Sequence, residues 1–146
     1  MIALRTATPA DIPRMIELDI EGFAESLPPF VLRMFLDVAG NLAIVAEDGG
    51  TIVGYSLGAR GPDKESGWLL SAAVTASYRA KGLGATLGQE LVRRFSAEGA
   101  KKLFLTIRPD NVPMIRWCKS AGFEQITDDP HYFGPDHRRL VMSKTL

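Results

Sequence analysis

The stretch "NLAIVAEDGGTIVGYSLGAR", residues 41–60, constrains the fold more than any other. Apolar residues recur with a period of two on both sides of Asp48-Gly49-Gly50, and that triplet is the combination a tight hairpin turn demands. An antiparallel hairpin in mid-chain does not belong to a doubly wound sheet, in which parallel strands alternate with helices. The rest of the chain must be laid around this hairpin.

Ahead of it, "IALRTA" reads as a short alternating strand. Thr8 can cap a helix and Pro9 fits its first position, and Ile12, Met15, Ile16 and Ile20 then follow at spacings of three and four. "AESLPPF" breaks that pattern, and "FVLRMFLDVAG" gives a second helix closed by Gly40. After the hairpin, "GPDKESG" is a loop and "WLLSAAV" a third apolar strand of this group. From Gly82 to about Ala97 a helix carries Leu83, Leu87 and Leu91 on one stripe, with Val92 and Phe95 beside it. In "KKLFLTIR", Leu103, Leu105 and Ile107 face one way, and Phe104, Thr106 and Arg108 the other. A short helix begins at Asp110 or Asn111, has Pro113 in its first turn and ends at Gly122. "FEQIT" and "RRLVMSKTL" are the last strands, joined by "DDPHYFGPDH". The order is βααβββαβαββ, a mixed α/β layer fold.

At 146 residues the chain has the size of one domain, so a single domain over 1–146 is expected. Lys plus Arg equals Asp plus Glu at 17 each, which leaves no summed positive field to draw the protein onto nucleic acid. The single cysteine, Cys118, excludes an internal disulfide framework and suits a reducing compartment. No basic leader opens the chain and nowhere do about 18 apolar residues run together, so a cytoplasmic protein without a membrane partner is expected.

The segment "SYRAKGLGATLG", residues 77–88, joins an apolar strand to a helix through Gly82 and Gly84. Such glycines let the backbone approach a ligand closely, and the first N–H groups of the helix point outward at its positive dipole end. The loop is therefore a candidate nest for an anion such as a pyrophosphate. No G-x-x-x-x-G-K-[ST] string occurs, and Leu87 stands where a dinucleotide fingerprint needs a third small residue.

"AAVTASYRAKGLGATL" resembles the central motif of the GNAT superfamily of acyl-CoA-dependent N-acetyltransferases, R/Q-x-x-G-x-G/A after a strand ending in Val, as Arg79-x-x-Gly82-x-Gly84. A second signature of that family, an Asn opening a helix that ends in Gly-Phe, is similar to Asn111 through Gly122-Phe123. The resemblance implies a mostly antiparallel central sheet flanked by helices, with a splay between the fourth and fifth strands. It implies that the backbone of Arg79, Ala80, Lys81, Gly82, Leu83, Gly84 and Ala85 cradles the pyrophosphate of acetyl-CoA. It also implies that main-chain groups of Ala73 and Val74 pair with the pantetheine arm, and that Asn111 contacts the arm or the acetyl side. The nearest subgroup is the ribosomal-protein N-terminal alanine acetyltransferases, similar in length and in the "GLG" loop.

Departures from the family pattern fall on the proton-transfer groups. The family's tyrosine acid is Cys118 here, a thiol that can donate a proton or simply fill the core. The glutamate bases of two subgroups correspond to Thr106 and Trp68, neither of which takes up a proton at neutral pH. Glu21, Glu25 and Glu65 are replacement candidates, each otherwise a solvated carboxylate. His131 and Tyr132 in the last loop border the acceptor cleft by family analogy, which makes them candidates for contacting the substrate.

The expected activity is direct transfer of acetyl from acetyl-CoA to a primary amine: a protein N-terminus, a lysine or a small molecule. A non-catalytic acyl-CoA sensor is the alternative. No metal-ligand spacing and no Gly-x-Ser-x-Gly elbow occur, so neither a metal nor an acyl-enzyme is expected. Exposed strand edges in such a fold often pair, which leaves a homodimer open.

Overall fold

A computed structural model describes residues 1–22 and 27–146. Its strands are β1 (Ile2–Thr6), β2 (Ala43–Asp48), β3 (Thr51–Arg60), β4 (Ser66–Val74), β5 (Lys102–Ile107), β6 (Glu124–Asp129) and β7 (Arg139–Thr145). Its helices are α1 (Ile12–Gly22), α2 (Pro29–Ala39), α3 (Ala76–Arg79), α4 (Leu83–Ala97) and α5 (Val112–Ser120). The strands follow the order β1-β2-β3-β4-β5-β7-β6 in one sheet. This is the expected order βααβββαβαββ, with one short helix, α3, added inside the glycine motif. The chain divides into two compact units.

The first unit holds residues 1–59 and 70–98. Its hairpin is the one the sequence demands: β2 and β3 pair antiparallel with Asp48 opposite Thr51, and Gly49 and Gly50 take φ values of 58° and 83°. β1 joins β2 antiparallel from Ile2 opposite Asp48 to Thr6 opposite Ile44. Leu83, Leu87, Leu91 and Phe95 are all buried on α4, and each such side chain contributes roughly 1.5–3 kcal/mol on leaving water. The stripe of α1 differs from expectation. Met15, Leu18 and Asp19 are its buried residues, whereas Ile20 is 65% exposed. The helix is rotated toward Asp19 because that carboxylate finds hydrogen-bond partners inside.

The second unit holds residues 60–69 and 99–146. Ser66, Gly67 and Trp68 of β4 pair parallel with Lys102, Leu103 and Phe104 of β5, and pairing is confined to these three positions, as the expected splay requires. β7 runs antiparallel to both β5 and β6. Leu103, Leu105 and Ile107 turn the inner face of β5 into a core shared with Cys118, Phe123, Leu140 and Met142. Phe123, expected to open the sixth strand, lies just ahead of it and is buried.

Candidate active site

In the first unit β4 ends at Val74 and the chain enters the motif loop through α3. Gly82 adopts φ 78°, ψ 12°, a left-handed conformation that costs other L-residues about 1–2 kcal/mol, and serves as the N-cap of α4. The Thr86 N–H makes the first helical bond, to the Gly82 carbonyl at 3.1 Å, and no side chain caps the turn. The N–H groups of Leu83, Gly84 and Ala85 are thus open at the positive end of a helix of 15 residues. A Cβ placed on Gly84 would meet only Val74 Cγ2 at 3.9 Å, so the surface over this turn is clear. Three open donors and a clear approach suit a pyrophosphate.

The loop is braced from three sides. Arg79 folds back so that its Nε donates to the Val74 carbonyl at 2.9 Å, tying the motif arginine to the end of β4. The Tyr78 hydroxyl donates to Asp48 in the hairpin turn, and Lys81 lies over the Tyr78 ring at 4.8 Å. Glu21, at the end of α1, accepts from the Thr75 hydroxyl at 2.9 Å and from the Ala76 N–H at 3.1 Å, and so caps α3. Those bonds, the backbone one first, hold its carboxyl below the usual range. A carboxylate held this way is a weak base, so the geometry gives Glu21 a positioning part. Glu25 lies outside the described residues. Ala73 and Val74 are buried at the strand end.

The remaining candidates belong to the second unit. Asn111 caps α5, its side-chain oxygen accepting from the Met114 N–H at 3.3 Å, which settles the Asp110 or Asn111 alternative and leaves its amide hydrogens as donors. Cys118 has 0% exposure, and burial pushes its thiol up to about 12. That is the environment of a packing residue. Trp68 stacks on Phe104 at 5.1 Å, and Thr106 is half-buried on β5. His131 is exposed, its N–H donating to Asp129 at 2.9 Å, and half-buried Tyr132 meets Phe133 edge-on at 4.8 Å. Arg138 is paired through two bonds with Asp128 at 2.7 and 2.6 Å. Glu65 is exposed, and its carbonyl accepts from the Lys101 and Lys102 N–H groups. Among the described residues no three His, Cys, Asp or Glu side chains gather as a metal would need, and no helix is long and apolar enough to cross a membrane.

The braces on the loop, and a polar trio of Asp19, Tyr55 and Ser71, leave little trace in the sequence. One signal for the trio was present: Asp19 falls four positions after Met15, inside the apolar stripe of α1.

A mixed sheet whose fourth strand leads through a left-handed glycine into an uncapped helix is the arrangement that the resemblance to coenzyme A-dependent acyltransferases implies. The sequence profile of the acetyltransferase (GNAT) family matches residues 12–123, and the chain belongs to that family. It is an acetyl-CoA-dependent N-acetyltransferase. An uncharacterised protein of Mycobacterium leprae is 32% identical over 138 residues, covering 90% of this chain and 37% of that protein, so the chain spans little more than a third of that relative. An N-alpha-acetyltransferase of Sulfurisphaera tokodaii is 25% identical, with 98% and 92% of the two chains covered. The crystal structure of a ribosomal-protein-alanine N-acetyltransferase from Brucella melitensis has a TM-score of 0.83 at 25% identity, over 99% of both chains.

Proposed function

We propose that the acceptor is the α-amine of a peptide or protein N-terminus and that acetyl-CoA binds along Arg79 to Ala85. The start of α4 carries the coenzyme part: a left-handed Gly82 and three open N–H groups stand where the family motif has its R-x-x-G-x-G. The names of the Sulfurisphaera and Brucella relatives support an α-amine over a lysine or a small-molecule amine. When bound, acetyl-CoA supplies an activated thioester. The chain supplies binding and orientation. N–H groups of Leu83, Gly84 and Ala85 hold the pyrophosphate, Arg79 fixes the end of β4, and main-chain groups of Ala73 and Val74 align the arm. Main-chain N–H groups near Val74 draw charge from the carbonyl as the amine attacks.

A cytoplasmic location belongs to the same proposal, motivated by the lone buried thiol. Homodimerisation through a sheet edge has little support: β1 has 5 residues, and β6 carries a register shift at Gln125/Thr127 with Glu124, Asp128 and Asp129 along it. Light scattering is expected to give the monomer mass; a dimer mass would revive edge pairing. The acceptor is tested by incubating the protein with acetyl-CoA and peptides that differ in a free or blocked N-terminus. Mass spectrometry is expected to find the added acetyl on the α-nitrogen; acetylation confined to lysine side chains would overturn the α-amine.

A further inference from the structure

A polar chain runs through the core of the first unit and takes no part in the coenzyme loop. Asp19 of α1 is 1% exposed, Tyr55 of β3 is 0% exposed, and Ser71 of β4 is half-buried. The Tyr55 hydroxyl donates to one Asp19 oxygen, and the Leu27 N–H donates to the other at 3.4 Å. The Tyr55 and Ser71 oxygens lie 2.8 Å apart. Counting hydrogens fixes the direction. Tyrosine has one hydroxyl proton, already given to the carboxylate, so the Ser71 O–H must donate to Tyr55. Ser71 Oγ is left with lone pairs and, among the described residues, no donor to fill them. Apolar residues of similar volume in place of such buried groups are often neutral or stabilising, so packing alone does not call for the trio.

We propose that Ser71, Tyr55 and Asp19 form the proton relay of the transfer reaction, with Ser71 Oγ accepting from the substrate ammonium and Asp19 as the proton sink. The proposal rests on the α-amine reading above. The positions of the family's glutamate bases hold Thr106 and Trp68, whereas Ser71 shares a face of β4 with Ala73, whose main chain aligns the coenzyme arm. An ammonium proton passes to Ser71 Oγ as the Ser71 proton passes to Tyr55 and the Tyr55 proton to Asp19. This leaves a neutral amine and a neutral carboxylic acid. Once nitrogen has bonded to the acetyl carbon and the carbon–sulfur bond breaks, the second nitrogen proton goes to the departing sulfur. The relay resets by returning its proton to water through Ser71. Burial raises the Asp19 carboxyl above its ordinary range, against the pull of the Tyr55 and Leu27 bonds, which makes it a stronger base than a solvated aspartate.

The test is the pH profile of kcat/KM for a peptide α-amine with Ser71→Ala, a change at a half-buried site that keeps the fold. Such an amine has a pKa near 8, so only about a tenth of it is neutral at pH 7. A variant without the relay uses that fraction alone. Its kcat/KM is expected to fall about tenfold or more at pH 7 and to return to the wild-type value near pH 9, with coenzyme A affinity unchanged. Tyr55→Phe, checked for folding by circular dichroism, is expected to behave alike. Equal wild-type and Ser71→Ala rates at pH 7 would overturn the relay, and so would a loss of the same size at both pH values, the mark of a structural defect. Absence of transfer by the wild-type protein to any peptide amine would overturn the α-amine reading, and the relay with it.

Discussion

Cys118 shows how one residue changes meaning between sequence and structure. By position it corresponds to the family's tyrosine acid, and helical spacing from Met114 also makes it a core candidate. At 0% exposure, with the thiol pushed up to about 12 by burial, it is poorly matched to proton donation near neutrality. Cys118→Ala is therefore expected to leave kcat unchanged and to lower the unfolding free energy in urea by about 1 kcal/mol, the scale of one small buried group. A lower kcat at unchanged stability would restore the thiol as a donor. Glu21 changed meaning as well, from a candidate base to the cap of α3. Sequence identifies a residue that carries chemistry, but its role depends on hydrogen-bond partners far away in the chain, such as Thr75 and Ala76.

Among the elements, those with a long apolar period were the most legible. The stripe of α4 and the alternation of β5 follow directly from the sequence because each buries one continuous face. The face of α1 departs from the apolar period at Ile20, since a polar residue, Asp19, holds the inner position through a contact made by β3. The packing of β1 depends on a similar hidden pair. Arg5 donates two bonds to Asp11, at 2.8 and 2.9 Å, and two to Glu47 of β2, at 2.9 and 2.7 Å. Asp11 is only 6% exposed, so Arg5→Ala would strand a buried carboxylate and is expected to lower stability by about 3 kcal/mol in chemical denaturation. Arg5→Lys should recover only part, because an ammonium cannot make the paired contact. A loss below about 1 kcal/mol would show the pair to be incidental. On α4, hydrogen bonds from Arg93 and then Arg94 lower the Glu90 carboxyl from 4.5 to about 2. The folded value lies below the unfolded one, so this stabilisation is complete above about pH 4.5 and is lost as pH falls toward 2. Arg93 is 66% exposed, so solvent screening keeps the contribution small. Glu90→Gln should flatten that part of the stability profile; an unchanged acid slope would assign it to other carboxylates.

For the whole molecule, the sequence predicted which strands exist but only part of their order. The β2–β3 hairpin is local and its turn chemistry declares it, whereas the insertion of β7 between β5 and β6 pairs residues distant in sequence and leaves no local signal. The site divides in the same way. The coenzyme loop was legible because its chemistry is carried by consecutive backbone groups, while the Asp19–Tyr55–Ser71 chain required the fold to assemble it. A ligand held by the loop stabilises the folded chain through mass action, by about 2.7 kcal/mol at a hundredfold excess over Kd. For a chain of this size that corresponds to a rise in Tm of roughly 5–10 °C. Coenzyme A at that excess is expected to produce this shift in the wild-type protein. Gly84→Glu places a negative charge at the open N–H groups, with only Val74 Cγ2 near its Cβ, so its own Tm should stay close to wild type while the response to coenzyme A is lost. A full shift in Gly84→Glu would mean that the coenzyme's anionic head is held elsewhere.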